Sequence, residues 1–332
     1  VIGQLEAEWV ILGEDGLILQ EQGGYGRLSG KSLKLTHEEA LYLAGRGKIE
    51  VENNSVDSLL AKFTEESEFL RKFLVYRDIR ERGFVIQSGP HDFRVFKRGQ
   101  KPGKGTSFYM MRVLSERDLI NFEKISEEVK TARNMRKQFI LAVVDDEEEI
   151  TYYEIKTNDP PKGTSDFKGI KTKGVVYGNS VIITESADSI YESALFGTKF
   201  DKERLILSPL ETLYLLKSEL LEIEGDISYE EYYRRLEQGD HELDEKLRAY
   251  SHLRDTKNIP RTAYKFGHHF RVYSGGKQHS ELLVHAIQKG GSMPMSVISR
   301  SVRLAHSVRK KMLFACIKKD NIEYIEFARV KL

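Results

Sequence analysis

Three residues in the last quarter of the chain are of the types that move protons and steady charge. The stretch "FRVYSGGKQHS" (270–280) ends a strand-like run in Tyr273, turns through two glycines and reaches His279. An imidazole with an ordinary pKa of ~6.5 suits a general acid at neutral pH. A phenol of pKa ~10 is seldom ionised there and serves as a base only beside a cation. Lys310 is a candidate for that cation, and for stabilising negative charge that builds up in a transition state. Each residue by itself also fits an ordinary role, as a rim aromatic, a solvated loop histidine and a surface or capping lysine.

The elements that would position these groups occur twice. "LKLTHEEALYLAGRGKIEV" (33–51) matches "LILSPLETLYLLKSELLEI" (205–223), and "YRDIRERG" from Tyr76 matches "YSHLRDTK" from Tyr250. "HDFRVF" (91–96) matches "HHFRVY" (268–273), and "ARNMRKQFILAVVDDEEEITYYEI" (132–155) matches "AHSVRKKMLFACIKKDNIEYIEF" (305–327). Four blocks in the same order identify an internal duplication. Thr36 with Glu39 and Ser208 with Glu211 have capping-box spacing and start helices. A longer helix is expected through "SVDSLLAKFTEESEFLRKFLVYRDIRERG", from Leu59, Phe63, Phe69 and Phe73. In the second copy, "HHFRVYSGG", "HSELLVHAIQ", "KMLFACI" and "IEYIEFARV" read as strands, and "SVISRSVRLAHSV" as a helix. The expected fold is mixed α/β, of the α+β kind. It comprises two tandem repeats, each a small N-terminal α/β subdomain followed by a C-terminal mixed-sheet subdomain. Expected boundaries are 1–80 and 81–157 for the first repeat, a Pro-, Gly- and Lys-rich linker at 158–174, then 175–255 and 256–332.

The copies differ where chemistry would sit. Tyr273 aligns with Phe96 and His279 falls near Thr106, whereas Lys310 is matched by Lys137. Only the second copy carries all three groups. "FRVYSGGKQHSELLVHAI" followed by "SVRLAHSVRKKMLFACI" resembles the catalytic domain of archaeal tRNA-splicing endonucleases, and a degenerate copy fused to an intact one resembles the homodimeric type. The resemblance implies a metal-independent endonuclease that removes introns from precursor tRNA at bulge-helix-bulge junctions, leaving 2′,3′-cyclic phosphate and 5′-OH ends. It implies Tyr273 as general base, His279 as general acid and Lys310 as charge stabiliser. It also implies an arginine pair that sandwiches an unpaired base, here Arg303 and Arg329, where the first copy has Lys130 and Thr157. Further, it implies that the acidic run Asp145, Asp146, Glu147, Glu148 and Glu149 docks into the partner's catalytic copy. From the residues themselves, "SRSVRLAHSVRKK" (299–311) supplies Arg300, Arg303, Arg309, Lys310 and Lys311, with Arg303, His306 and Lys310 at helical spacing in a stripe that could face phosphates; a solvated helix face is the competing reading.

With 332 residues, 40% hydrophobic and 31% charged, the chain reads as a globular protein of more than one packed unit. No apolar run nears the ~20 residues of a membrane span, and no secretory leader is recognisable, so a cytoplasmic location without membrane contact is expected. The 52 basic and 51 acidic residues nearly cancel, so local patches matter more than the sum. Cys316, the sole cysteine, sits in an apolar run and is expected as a buried hydrophobe. "GQKPGKGTS" (99–107) lacks the spacing of a phosphate-binding loop. No metal and no cofactor are expected: His268 and His269 are strand neighbours expected on opposite faces, and no His/Cys group has ligand spacing. Two other functions compete. One is a non-catalytic RNA-binding or scaffold subunit; the other is a metal-dependent nuclease, for which no carboxylates cluster near the basic stripe.

Overall fold

In the computed structural model, which describes residues 1–165, 169–275 and 279–332, both capping boxes form. Glu39 accepts from the Thr36 backbone N–H at 3.1 Å, and Glu211 accepts from that of Ser208 at 2.8 Å. The second oxygen of each carboxylate takes a glycine N–H from an adjoining loop, Gly26 and Gly197, both at 2.9 Å. Each cap therefore also ties its helix, His37–Gly45 or Pro209–Lys217, to the neighbouring chain.

The continuous helix expected after residue 55 is broken into Val56–Phe63 and Phe69–Glu81. Thr64 donates its hydroxyl to Leu60 O (2.8 Å) and Ala61 O (3.1 Å), a local bond that competes with helix continuation. The break lets Phe63 and Phe69 meet edge to face at 5.4 Å, with His37 stacked on Phe63 at 4.0 Å. Sequence periodicity spans such a corner because the apolar residues stay on one side of it.

Each repeat opens with a five-stranded sheet. The first runs in the order Arg27–Ser29, Ser32–Leu35, Trp9–Leu12, Ile2–Glu6, Glu50–Val51; the second runs Thr198–Lys199, Leu205–Leu207, Ser180–Ile183, Thr172–Tyr177, Leu221–Ile223. The second halves of the repeats share one ten-stranded sheet, in the order Ile259–Ala263, His268–Tyr273, Leu282–Ile287, Lys311–Ile317, Ile322–Val330, Ile150–Thr157, Gln138–Val144, Ser107–Ser115, Phe93–Phe96, Ile86–Ser88. The order is the same from either edge inward, as expected of duplicated units. The join is the antiparallel ladder from Tyr152 opposite Val330 to Thr157 opposite Ile325. The mixed α/β fold in tandem repeats is thus as the sequence implied.

In each half, two parallel strands are linked by a crossover helix, Phe122–Asn134 or Met295–Ser307. Both helices press their apolar faces onto one side of the sheet and into one common core, in which Phe122 meets Phe314 at 5.1 Å. Helices Phe69–Glu81 and Leu243–Asp255 cover the opposite side with separate cores. Cys316 is buried, and burial pushes its thiol up to about 12, as suits a packing residue. Among the described residues no helix is long and apolar enough to cross a membrane. Residues 166–168 of the expected linker lie outside the described residues.

Phe314 is fully buried in the common core. Phe314→Ala is expected to cost about 3–5 kcal/mol, read from urea denaturation. A loss below about 1 kcal/mol would show that the two halves do not depend on this core.

Candidate active site

The strand His268–Tyr273 ends in Tyr273, and its neighbour restarts at Leu282 after Glu281 donates its N–H to Val272 O at 3.0 Å. Register sets Val272 opposite Leu282 and Leu282 opposite Lys311. The next row outward therefore holds Tyr273, Glu281 and Lys310, with Lys310 two interstrand steps, roughly 10 Å, from Tyr273 at the backbone. That span is within reach of two long side chains around one group. His279 is exposed on the loop that joins the first two strands; residues 276–278 of that loop lie outside the described residues.

Lys310 is held in this row by its own bonds. The helix Met295–Ser307 ends, Arg309 turns the chain through φ 55°, and Lys310 N–H donates to Ala305 O at 2.8 Å. Lys310 was expected to continue the helical stripe of Arg303 and His306. It lies beyond the helix end instead, and the left-handed Arg309 turns it toward the loop. Its Nζ donates to Ser280 O at 2.6 Å, beside His279. Burial, and then the charge of Arg271, hold the amine below its ordinary pKa.

The inter-repeat connection steadies the other end of the loop. Thr164 donates from its backbone N–H (2.8 Å) and its hydroxyl (3.2 Å) to Ser274 O, next to Tyr273. Gly163 and Ser165 donate to Thr256 O (2.9 Å) and Lys257 O (3.1 Å). A Cβ on Gly163 would sit 2.0 Å from Lys257 O, so glycine is required for this approach. Nothing in the sequence of the linker signals the contact, because it depends on where the second sheet lies.

The first repeat keeps the scaffold and lacks two groups. Phe96 ends the strand equivalent to that of Tyr273, and Lys137 Nζ donates to Ser107 O at 2.7 Å, the counterpart of the Lys310 bond. Lys137 Nζ also donates to Ser107 Oγ at 2.6 Å, and Phe96 and Thr106 stand where the second repeat has the phenol and the imidazole.

Arg300, Arg303 and His306 are exposed on the helix face opposite Ile298, Val302 and Ala305. His306, Ser307, Arg309, Lys310 and Lys311 line a surface depression of about 610 Å³. Arg329 is exposed near the end of its strand, opposite Tyr153 at the seam between repeats. The acidic run forms the turn between Gln138–Val144 and Ile150–Thr157. Asp145 is half-buried and accepts the Glu147 and Glu149 N–H groups at 3.0 and 2.9 Å, so it shapes the turn, while Asp146, Glu147, Glu148 and Glu149 are exposed. Asp146 also pairs with Arg117.

The structure gathers one group that linear spacing hid: Glu242, His269 and His285, with possible ligand atoms within 4.8 Å of one another. His268 and His269, expected to face apart, both contact His285, at ring distances of 5.6 and 4.0 Å, because the strand pairing is irregular between Thr262 and Ala263. His269 Nδ1 accepts the Ala286 N–H at 3.0 Å, which leaves the hydrogen on Nε2, 3.5 Å from Glu242 Oε2. A nitrogen that carries a hydrogen does not ligate a metal, so this donor set reads as a pairing of His269 with Glu242 against which His285 stacks, its Nδ1 buried without a partner among the described residues. Burial pushes all three imidazoles down to about 4, aided by His285 for His268, by Lys246 for His269 and by His269 for His285.

Both halves of each repeat match known family models. The model for the N-terminal domain of tRNA intron endonucleases matches residues 1–60 and 172–233, and the model for their catalytic C-terminal domain matches 69–152 and 243–324. The chain is 36% identical over 348 residues to the tRNA-splicing endonuclease of Methanosarcina barkeri and 37% identical over 348 residues to that of Methanosarcina acetivorans, covering 99% of both chains in each pair. It is 32% identical over 355 residues to that of Halobacterium salinarum, again over 99% of both chains.

The depressed histidines fix a direction of pH dependence. Between the ordinary value of 6.5 and about 4 the unfolded chain takes up protons that the folded chain refuses, so stability is lost as pH falls through that window. His285→Gln is expected to flatten the decline in urea midpoint between pH 7 and about pH 4.5. An unchanged decline would mean that other groups govern it.

Proposed function

The chain belongs to the tRNA intron endonuclease family, and on that premise we propose that it cuts precursor tRNA at the ends of an intron, using the C-terminal repeat as the catalytic copy. Tyr273 takes the proton from the ribose 2′-OH at the cut. The 2′-oxygen attacks the adjacent phosphorus, and the bond from phosphorus to the 5′-oxygen breaks. His279 gives its proton to that leaving oxygen. The products are a 2′,3′-cyclic phosphate and a 5′-OH. Lys310 offsets the extra negative charge of the pentacoordinate phosphorus, an electrostatic contribution worth about 10²–10³ in rate in other enzymes. The nucleophile comes from the substrate itself, so two proton-transfer groups and a cation complete the reaction without a metal ion.

The observation that carries this reading is the shared row of Tyr273 and Lys310, with the Lys310 amine bonded to the carbonyl beside His279 at 2.6 Å. The substitution of Phe96 for the phenol in the other copy supports a division of labour between repeats.

Arg303 and Arg329 hold an unpaired base by stacking, an interaction worth roughly 1–3 kcal/mol per base, and Arg300 and His306 lie along the flanking phosphates. The substrate on this reading is a bulge-helix-bulge. Its two cuts call for two sites, which a two-fold homodimer supplies. The exposed Asp146, Glu147, Glu148 and Glu149 dock on the partner's catalytic repeat.

A bulged precursor tRNA incubated with the protein in excess EDTA is expected to be cut, with cyclic phosphate at the new 3′ ends. His279→Ala or Lys310→Ala is expected to slow cutting by at least about 10² while RNA affinity changes little. Cleavage abolished by EDTA, or RNA bound and never cut, would refute the mechanism. Separately, neutralising Asp146, Glu147, Glu148 and Glu149 to their amides, with Asp145 kept to hold the turn, is expected to shift the protein toward monomer in sedimentation. An unchanged mass would remove the docking role.

A further inference from the structure

The two repeats solve one electrostatic problem differently, beside the candidate site. In the first repeat Gln87 lies opposite Arg94 on the neighbouring strand. Its amide nitrogen donates to Gly24 O (3.0 Å) and Gly26 O (3.2 Å), which latches the sheet to the small subdomain. Its amide oxygen accepts from Arg94 at 2.8 Å. In the second repeat the corresponding pair is Arg261 opposite Arg271. Arg261 keeps the latch, donating to Gly197 O at 2.7 Å, and pairs with Glu211 at 3.3 Å. A guanidinium has donors only, however, so the acceptor that secures Arg94 is gone.

Arg271 faces Arg261 across the strands, and its charge is also felt at Lys310. It has no hydrogen bond or ion pair among the described residues, and its Nε is buried without a partner. The Nε of Arg94 is equally without one, so the difference between the copies lies in the terminal nitrogens. Opposed like charges on adjacent strands are destabilising, and Arg261 and Arg271 are so opposed. The carboxylate nearest Arg261, Glu211, is shared with Arg254 at 3.8 Å. Asp240, the other carboxylate of the cleft, is paired with Lys246 at 2.8 Å.

The position fits an anion. Arg271 and Tyr273 lie on the same face of their strand, about 6.6 Å apart along it. The guanidinium carbon stands 5.8 Å from the centre of the Tyr273 ring. Arg271, Tyr273, Arg261 and the exposed Tyr264 line a cleft of about 920 Å³ between the sheet and the small subdomain of the second repeat. An RNA strand whose cut phosphate sits at Tyr273 carries its next phosphate within reach of Arg271.

We propose that Arg271 binds the backbone phosphate next to the one that is cut, and so seats the RNA strand in this cleft against Tyr273. The identity of the ligand as RNA rests on the endonuclease reading above. The interaction is a charge-assisted contact of the kind guanidinium makes with phosphate, and the orphaned donors of Arg271 acquire acceptors only when RNA is bound.

The test is the salt dependence of binding, measured with bulged precursor tRNA that carries a 2′-deoxy nucleotide at the cut so that it binds and stays intact. Each phosphate contact contributes about 0.7–0.9 to the slope of log affinity against log salt. Arg271→Gln is expected to lower the slope by about that amount and to weaken binding about tenfold, and Arg271→Lys to restore the slope. Arg261→Gln leaves Arg271 in place but offers it the acceptor that Gln87 offers Arg94, and is expected to lower the slope likewise. Arg94→Gln is expected to leave it unchanged. Thermal melting of each variant verifies folding. An unchanged slope in folded Arg271→Gln overturns the proposal even where the wild-type protein cuts all-ribose precursor normally. A reduced slope in a protein that never cuts that precursor supports the phosphate contact and sinks the endonuclease reading instead.

Discussion

The strand pairing of Ile150–Thr157 with Ile322–Val330 is the constraint on which the rest of the molecule depends. It closes two sheet edges that would otherwise expose unpaired N–H and C=O groups, and it turns two domains into one ten-stranded sheet. The helices Phe122–Asn134 and Met295–Ser307 then lie side by side over a single core that neither half could complete. The first repeat, with Phe96 and Thr106 where the second has Tyr273 and His279, cannot be discarded under these conditions. Removing it would strip Phe122, Ile125 and Val129 from the packing around Phe314 and Phe327 and reopen the Ile322–Val330 edge. The first repeat thus forms half of the other repeat's interior.

The seam also sets the geography of the site. Strand order runs outward from it, so the row of Tyr273 and Lys310 lies away from the join, under the small subdomain of its own repeat and the linker strap at Thr164. Arg329 lies on the seam itself, opposite Tyr153 of the first repeat. A substrate spanning both places would touch both copies, and only one of them would need reactive groups.

Local signals in the sequence were legible where the responsible physics is local. The capping boxes at Thr36 and Ser208 could be read because four consecutive residues define them. The strands around Tyr273 could be read because alternation shows in the burial pattern of His268–Tyr273 itself. The break at Thr64 was hidden because the apolar spacing runs on past a turn held by the Thr64 hydroxyl and by backbone bonds of Glu65, Glu66 and Phe69. Register was hidden more deeply. The pairing of Arg261 with Arg271 depends on the turn at Tyr264–Phe266 and on a register shift between Thr262 and Ala263. The same shift brings His268 and His269 onto one neighbour, against the expectation from alternation. Composition and spacing name the residues of a strand, but which residue faces which is settled by the turn.

The lysine shared by the repeats shows how a duplicated chain should be compared. Lys137 and Lys310 make the same bond, Nζ to a serine carbonyl at or just before the start of the neighbouring strand, and both are held below their ordinary pKa by burial and a nearby arginine. The bond alone is therefore sufficient reason for a lysine at that position, and the lysine bears on cleavage only through the company it keeps, Tyr273 in the same row and His279 beside the bonded carbonyl. Differences between the copies are better witnesses than identities. Tyr273 in place of Phe96 adds a hydroxyl at the strand end, and Arg261 in place of Gln87 removes an acceptor and opposes two cations. The second change costs stability by itself, since it opposes two cations and leaves Arg271 without an acceptor partner among the described residues. A fold under selection for stability alone has the Gln87 solution available within its own other half. That the arginine pair stands only in the half that also carries the phenol and the imidazole ties the local electrostatic cost to whatever that half binds.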